Sequence, residues 1–399
     1  MEASKYFWNP YLAGGVTSEV APEDPRRFHQ SLPGYRPTPL VALPELASRL
    51  GLGRIWIKDE SQRFDLMAFK VLGASYAIFK LLEKAWQKTS DQLLDPADFR
   101  RPGLAKSLGV QTLTAATDGN HGRAVAWTAR TLGLEAVIFV PRDMVSARIR
   151  NLEKLGARVV IVDGTYDQAV ARCVDESEAH GWHVISDTSW PGYTEIPTWV
   201  VAGYSTMFRE IDEQLPEGTI PDLVFLQTGV GSFACAGISH YKGRTLGARP
   251  KLICLEPLEA DCLLESALSG QGGMAKAKGN LESLMSGLNC GTPSLIAWPV
   301  LKAGIDLFLA VDDAWSLQAM YSLYHPRKGD DPVYAGESGA AGLAGLLALT
   351  LEPALKTVRQ RLKLGPNTSV LLINTEGGTD PEGFSRVVED HRRFGSLLA

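Results

Sequence analysis

The sequence has no stretch of eighteen or so uncharged apolar residues, and its opening, MEASKYFWNPYLAGG, has no basic segment followed by an apolar run. A membrane-spanning helix and a secretory leader are therefore not expected, and a soluble cytoplasmic protein is. Cysteine is scarce. The five present, at positions 173, 235, 254, 262 and 290, show no C-x-x-C spacing, which excludes a disulfide scaffold and a zinc ribbon. No metal site is expected. An excess of positive charge is also missing: 40 Lys and Arg stand against 45 Asp and Glu, a net charge of -5. Nucleic acid and anionic membranes would find no broad attraction. There is no internal repeat and no charge block long enough for a tail.

What is present is ordinary globular composition over 399 residues, with 45% hydrophobic and 21% charged residues, 39 Gly and 23 Pro. That length holds two to three domains' worth of chain. From about residue 110, short β-branched runs alternate with segments of helical period, and the helices stop at glycines able to take the left-handed conformation. The pattern predicts strands over residues 110–116, 136–140, 157–162 and 183–186. Between them it predicts a helix through Trp127 ending at Leu132-Gly133, one over 146–155 stopped by Gly156, and one over 166–180 stopped by Gly181. Three crossovers imply a parallel sheet. Further strands are expected over 223–227, 252–255 and 370–374, nearly continuous in apolar residues as when helices cover both faces. Residues 88–106 and the Gly-rich 270–280 read as surface loops. The fold class is α/β: two unequal lobes, each with a mostly parallel twisted sheet covered by helices, and a crevice between them.

Three segments carry chemistry. In WIKDESQRFDLMAFKVLGASY, residues 56–76, a strand ends in a polar turn and Ala68-Phe69-Lys70 opens a helix. A lysine near a helix start opposes the macrodipole, and its apolar neighbours would lower its pKa toward a nucleophilic amine. Thr117-Asp118-Gly119-Asn120-His121-Gly122 lies between a strand and a helix, where N–H groups and polar side chains can face a ligand. Gly229-Val230-Gly231-Ser232-Phe233-Ala234 follows the strand LVFLQ and could cradle a phosphate at a helix start. The same letters satisfy G-x-G-x-x-A, with Glu256 ending a strand one βαβ unit later, so a nicotinamide site is a rival reading.

In combination these segments resemble the fold-type II pyridoxal-phosphate enzymes, the superfamily of tryptophan synthase β and threonine dehydratase. The blocks TPL, KDESQRF, AFKVLGASYA, TDGNHGRAVAW, SDTSWPGYTEIPTW, MSGLNCG and GESGA, in this order over residues 34–382, look like its diaminopropionate ammonia-lyase branch. Ala68 stands where many relatives have Ser, the four-glycine phosphate loop reads GVGS, and Asp118 replaces a common Ser. The branch resembles this chain in the first two respects.

The resemblance implies that Lys70 carries pyridoxal 5'-phosphate covalently and that Asn120 hydrogen-bonds the ring's phenolic oxygen. It also implies that Gly229, Val230, Gly231 and Ser232 hold the phosphate and that Thr375 faces the pyridine nitrogen. A neutral hydroxyl at 375 leaves the ring a weaker electron sink, which suits α,β-elimination. The implied reaction converts D- and L-2,3-diaminopropionate to pyruvate and two ammonia. Asp118 and Asp187 would be the bases on the two faces, with Lys70 available once released. The expected division is residues 1–87 and 205–399 as a larger cofactor-binding domain and 88–204 as a smaller one. A small amino-acid substrate and a homodimer are the expected partners. The main alternative is a threonine or serine dehydratase of the same fold; a binding protein without activity is a further one. Cys262 and Cys290 are either buried thiols or a reversible disulfide near the site.

Overall fold

The computed structural model describes residues 2–13, 24–117, 119–243, 249–270 and 272–394. Among them eleven strands run in chain order. They are β1 (Lys5–Trp8), β2 (Leu40–Ala42), β3 (Arg54–Asp59), β4 (Thr112–Ala116), β5 (Glu135–Pro141), β6 (Arg158–Val162), β7 (His183–Val184), β8 (Leu223–Gln227), β9 (Lys251–Pro257), β10 (Leu307–Val311) and β11 (Ser369–Asn374). They form a seven-stranded sheet, β1-β10-β9-β8-β11-β3-β2, and a four-stranded sheet, β6-β5-β4-β7. Every pairing in the smaller sheet is parallel. In the larger, only the edge strands β1 and β2 pair antiparallel. The α/β reading with mostly parallel sheets is what the structure has.

Local signals explain the elements that were legible. Helix Tyr166–His180 opens with a capping box, in which the Thr165 side chain accepts from the Gln168 N–H while the Gln168 side chain accepts from Thr165. It closes at Gly181, whose φ of 68° is left-handed. Gly133, at φ 66°, ends helix Asn120–Leu132 in the same way. Helix Ser146–Glu153 stops slightly short of the expected bound.

Two expectations need correction. The sequence pattern predicts no strand at β1, β2 or β10: β2 is only three residues long, and β1 pairs with β10 across some three hundred residues. Residues 88–106 are also not simply a surface loop. They contain a 3-10 helix, Pro96–Arg100, and a four-residue helix, Leu104–Ser107. Phe99 is buried there, its ring 4.9 Å from that of Phe28 and 5.9 Å from that of Phe79. One aromatic anchoring a polar stretch leaves no periodicity to read.

The chain forms two compact units, Met1–Glu19 with Pro37–Met67 and Met207–Ala399, and Val20–Arg36 with Ala68–Thr206. The first contains the seven-stranded sheet and the second the four-stranded one. Helix Lys70–Trp86 belongs to the second, packed on helix Asn120–Leu132, whereas the sequence reading kept residues 1–87 in the larger domain. In the first unit, helix Ala341–Leu351 is buried from Ala341 to Leu349 and lies on β8, β9, β10 and β11. A helix surrounded by core is apolar on all sides. No single helix among the described residues is long and apolar enough to cross a membrane.

Candidate active site

In the second unit, the first residue of helix Lys70–Trp86 is Lys70 itself. Its ammonium donates to Asp187 Oδ2. Asp187 lies just beyond β7, with its side chain 9% exposed against 22% for Lys70. Burial opposes the ionised form of Asp187, and the neighbouring Lys70 cation overrides it, holding the carboxyl well below the usual range.

The turn after β4 brings a third group to this pair. Thr117 Oγ1 accepts the N–H of Gly119 at 2.9 Å and of Gly122 at 3.0 Å, folding the turn back on its own side chain. Gly119 sits at φ 147°, ψ -77°, a region open to glycine alone. A Cβ on Gly122 would collide with the Thr117 methyl, so both glycines of the motif are required by geometry. Helix Asn120–Leu132 starts there, with Asn120 half-buried and its Oδ1 accepting from Arg123 at 3.3 Å. His121 is buried, its Nε2 2.7 Å from the Ile185 carbonyl and its Nδ1 3.8 Å from Asp187 Oδ2. A carbonyl only accepts, so the ring hydrogen is on Nε2. Burial lowers the His121 pKa and keeps the ring neutral, leaving Nδ1 as an acceptor on the Asp187 side. Lys70 is therefore the cation that matters for Asp187. Asp118 lies outside the described residues.

In the first unit, the carboxyl ends of two adjacent parallel strands carry the other expected residues. β8 ends at Gln227 and leads through Thr228 to Gly229-Val230-Gly231, where Gly231 at φ 99° caps helix Ser232–Lys242. A Cβ on Gly229 would stand 2.8 Å from Cys290 Sγ, and one on Gly231 3.1 Å from Leu301 Cδ2. The turn is a cradle that side chains would fill, at a helix start whose N–H groups suit an anion. β11 leads into Thr375, 5% exposed, whose Oγ1 accepts from Gln227 Nε2 at 3.2 Å and donates to the Ser338 carbonyl at 3.4 Å.

The turn that precedes Ala68 is held by buried charge. Phe64, Asp65 and Met67 have φ of 51°, 57° and 57°, each costing on the order of 1–3 kcal/mol for a non-glycine residue. Arg63 Nη2 lies 2.7 Å from both Glu60 Oε1 and Glu210 Oε2, and Lys58 Nζ lies 2.7 Å from Glu210 Oε2. All four side chains are at most 1% exposed. Burial disfavours the Arg63 charge, yet the two carboxylates raise its pKa. Lys58, with the same neighbours, is lowered by burial.

Glu256, the acid of the nicotinamide reading, is fully buried and accepts the N–H groups of Leu263 and Leu264, both at 2.8 Å. Its oxygens are occupied by protein and face no ribose. The five cysteines are buried thiols, with Cys262 Sγ 3.8 Å from the Gly229 carbonyl.

The sequence pattern of the pyridoxal-phosphate dependent enzymes matches residues 31–376. The chain belongs to this family. Within the family, it is similar to the diaminopropionate ammonia-lyase of Salmonella typhimurium, 40% identical over 96% of this chain and 94% of the relative. It is 38% identical to the diaminopropionate ammonia-lyase of Escherichia coli over 91% of this chain and 90% of the relative. The solved structure of the Escherichia coli enzyme, in complex with an aminoacrylate-PLP azomethine reaction intermediate, has a TM-score of 0.87 and 35% identity, covering 99% of this chain and 98% of that one. A threonine deaminase isoform of Solanum lycopersicum, at 21% identity and a TM-score of 0.70 over 98% of this chain and 92% of that one, shares the fold.

The family's cofactor is pyridoxal 5'-phosphate, and the residues present fit it. A primary amine sits at a helix start beside a carboxylate, and a glycine cradle lies at the start of another helix. Two groups escaped sequence reasoning. The sequence assigns His121 no role, and the flanking glycines are the available signal. Tyr193, which holds the backbone beside Asp187, gave none.

Proposed function

We propose that this chain converts 2,3-diaminopropionate, in both D and L forms, to pyruvate and two ammonia by pyridoxal-phosphate-dependent α,β-elimination. The observation that carries the reading is the Lys70–Asp187 pair beside the Gly-Asn-His turn, in a chain so similar along its whole length to diaminopropionate ammonia-lyases. Bound pyridoxal phosphate supplies the electron-withdrawing ring that makes the substrate's α-proton removable.

The chain's own residues then divide the remaining work. Lys70 is the amine that holds the cofactor, with Gly229, Val230, Gly231 and Ser232 around the phosphate, Asn120 at the phenolic oxygen and Thr375 at the ring nitrogen. The α-hydrogens of the two enantiomers lie on opposite faces of a planar system, so each face needs its own base. Asp187, held ionised beside Lys70, serves the L form, and Asp118 the D form. The β-amino group leaves as ammonia, and water releases the second ammonia with pyruvate. The seven-stranded unit supplies the phosphate cradle and Thr375, and the working protein is a cytoplasmic homodimer. Pyruvate and ammonia release from both enantiomers, measured beside serine and threonine, tests the reading. A preference for the hydroxy amino acids would make the chain a dehydratase instead.

A further inference from the structure

Asp187 stands where regular structure has run out. β7 is two residues long, and its pairing with β4 ends at Thr114↔Val184, followed by one more bond from the Ile185 N–H to the Thr114 carbonyl at 2.8 Å. Beyond that point, the Tyr193 hydroxyl holds the backbone. It donates to the Val184 carbonyl at 2.8 Å and accepts the Ser186 N–H at 3.0 Å, clamping the two residues on either side of Ile185. Ser186 Oγ in turn accepts the Thr188 N–H at 3.2 Å, so Asp187 is bracketed by residues whose N–H groups are both engaged.

The tyrosine is itself rigidly placed. Trp190-Pro191-Gly192-Tyr193 has the Pro-Gly pattern of a tight turn, with Gly192 at φ 87°. The Trp190 and Tyr193 backbones exchange hydrogen bonds, Trp190 N–H to Tyr193 O at 3.3 Å and Tyr193 N–H to Trp190 O at 2.9 Å. Their rings stack with centroids 4.2 Å apart and 13° between planes. Burial raises the phenol's pKa, which keeps its one proton on the oxygen for the Val184 carbonyl.

We infer that Tyr193 is the positioning residue for Asp187: its hydroxyl fixes the 184–186 backbone so that the carboxylate meets Lys70 and, in turnover, the substrate's α-hydrogen. The inference rests on the proposed role of Asp187 as a base. A displacement of about 1 Å in a catalytic group costs on the order of a hundredfold in rate. One hydroxyl that makes two hydrogen bonds is thus enough to matter.

Tyr193→Phe keeps the ring, the stack and the turn and deletes only the clamp. The test compares kcat and KM of cofactor-loaded wild type, Tyr193→Phe, Asp187→Asn and the double variant on D- and L-diaminopropionate. Tyr193→Phe should lower kcat about 10- to 100-fold for the enantiomer that Asp187→Asn impairs, with KM changed less than about twofold. The double variant should be no worse than Asp187→Asn alone, because a base that is absent cannot be misplaced. Hydrogen exchange at the Ser186 amide should accelerate in Tyr193→Phe whether or not substrate is present. Equal losses on both enantiomers that multiply in the double variant, or a native kcat in Tyr193→Phe, overturn the inference while leaving the functional reading standing. An Asp187→Asn variant with full activity on both enantiomers overturns the role of Asp187 itself, and the inference with it.

Discussion

Gly203 lies against Leu72, two residues past the candidate cofactor lysine, so closely that a Cβ on Gly203 would collide with the Leu72 carbonyl oxygen and stand 2.9 Å from Gly73 Cα. Gly73 returns the relationship: a Cβ there would be 2.5 Å from Tyr204 Cε1. Two helices therefore meet through glycines at the turn that aims Lys70. Gly203→Ala should destabilise by about 1–3 kcal/mol, as overpacking of a dense core does. It should also lower activity by more than the lost stability explains, because the backbone that gives way carries Lys70. Denaturant unfolding with turnover of the folded fraction separates the two effects; a variant as stable and active as wild type would show that the contact has slack.

The buried charges before Ala68 make a different prediction. Glu210 faces Lys58 and Arg63 at once, and all three side chains are at most 1% exposed. Glu210→Gln takes a carboxylate away from two buried cations, and breaking such a pair costs about 3–5 kcal/mol. Unfolding in urea should show that loss. A change under about 1 kcal/mol would mean that water or a shifted side chain replaces the carboxylate.

These two predictions concern features that the sequence displays to different degrees. Helix Tyr166–His180 and strand β8 were legible to the residue because their signals are local: a Thr-x-x-Gln cap, a closing glycine, an unbroken apolar run between polar turns. The motif glycines were legible as motifs, yet their reasons are geometric, a φ of 147° at Gly119 and a methyl behind Gly122. The tautomer of His121 depends on the Ile185 carbonyl, 64 residues further along, and the Tyr193 clamp on a hydroxyl meeting its own upstream strand. Partners of that kind leave no period or spacing to read.

His121 gives a pH prediction with a defined sign. Burial lowers its pKa below the ordinary 6.5, so the unfolded chain binds this proton more readily than the folded one. The stability it contributes is present above about pH 6.5 and is lost as pH falls toward the folded-state pKa, by at most about 1.4 kcal/mol per unit. His121→Gln retains a donor for the Ile185 carbonyl and removes the titration. Its unfolding free energy should therefore fall less steeply than that of wild type between pH 6.5 and 5.5. Parallel profiles for the two proteins would show that His121 is not the group that titrates.

The last prediction addresses the cradle after β8. Gly231 takes φ 99°, so any side chain there is strained, and Leu301 Cδ2 would be 3.1 Å from its Cβ. Gly231→Ala therefore measures strain and crowding alone, and Gly231→Asp adds a negative charge where the phosphate dianion is proposed to sit. Two unit charges about 4 Å apart repel by about 4 kcal/mol at a surface-like effective dielectric constant of 20. Part of this is relieved when the side chain turns away, so the aspartate variant should bind pyridoxal phosphate at least about a hundredfold more weakly than the alanine variant. Lys70→Ala distinguishes the phosphate site from the covalent one: it should lose the covalent bond while still taking up the cofactor non-covalently through the intact cradle. Titrating the three apo-proteins with pyridoxal phosphate by fluorescence reads all of this without turnover. Equal affinities for Gly231→Ala and Gly231→Asp would place the phosphate elsewhere, because a carboxylate cannot share a helix start with a dianion and leave its binding unchanged.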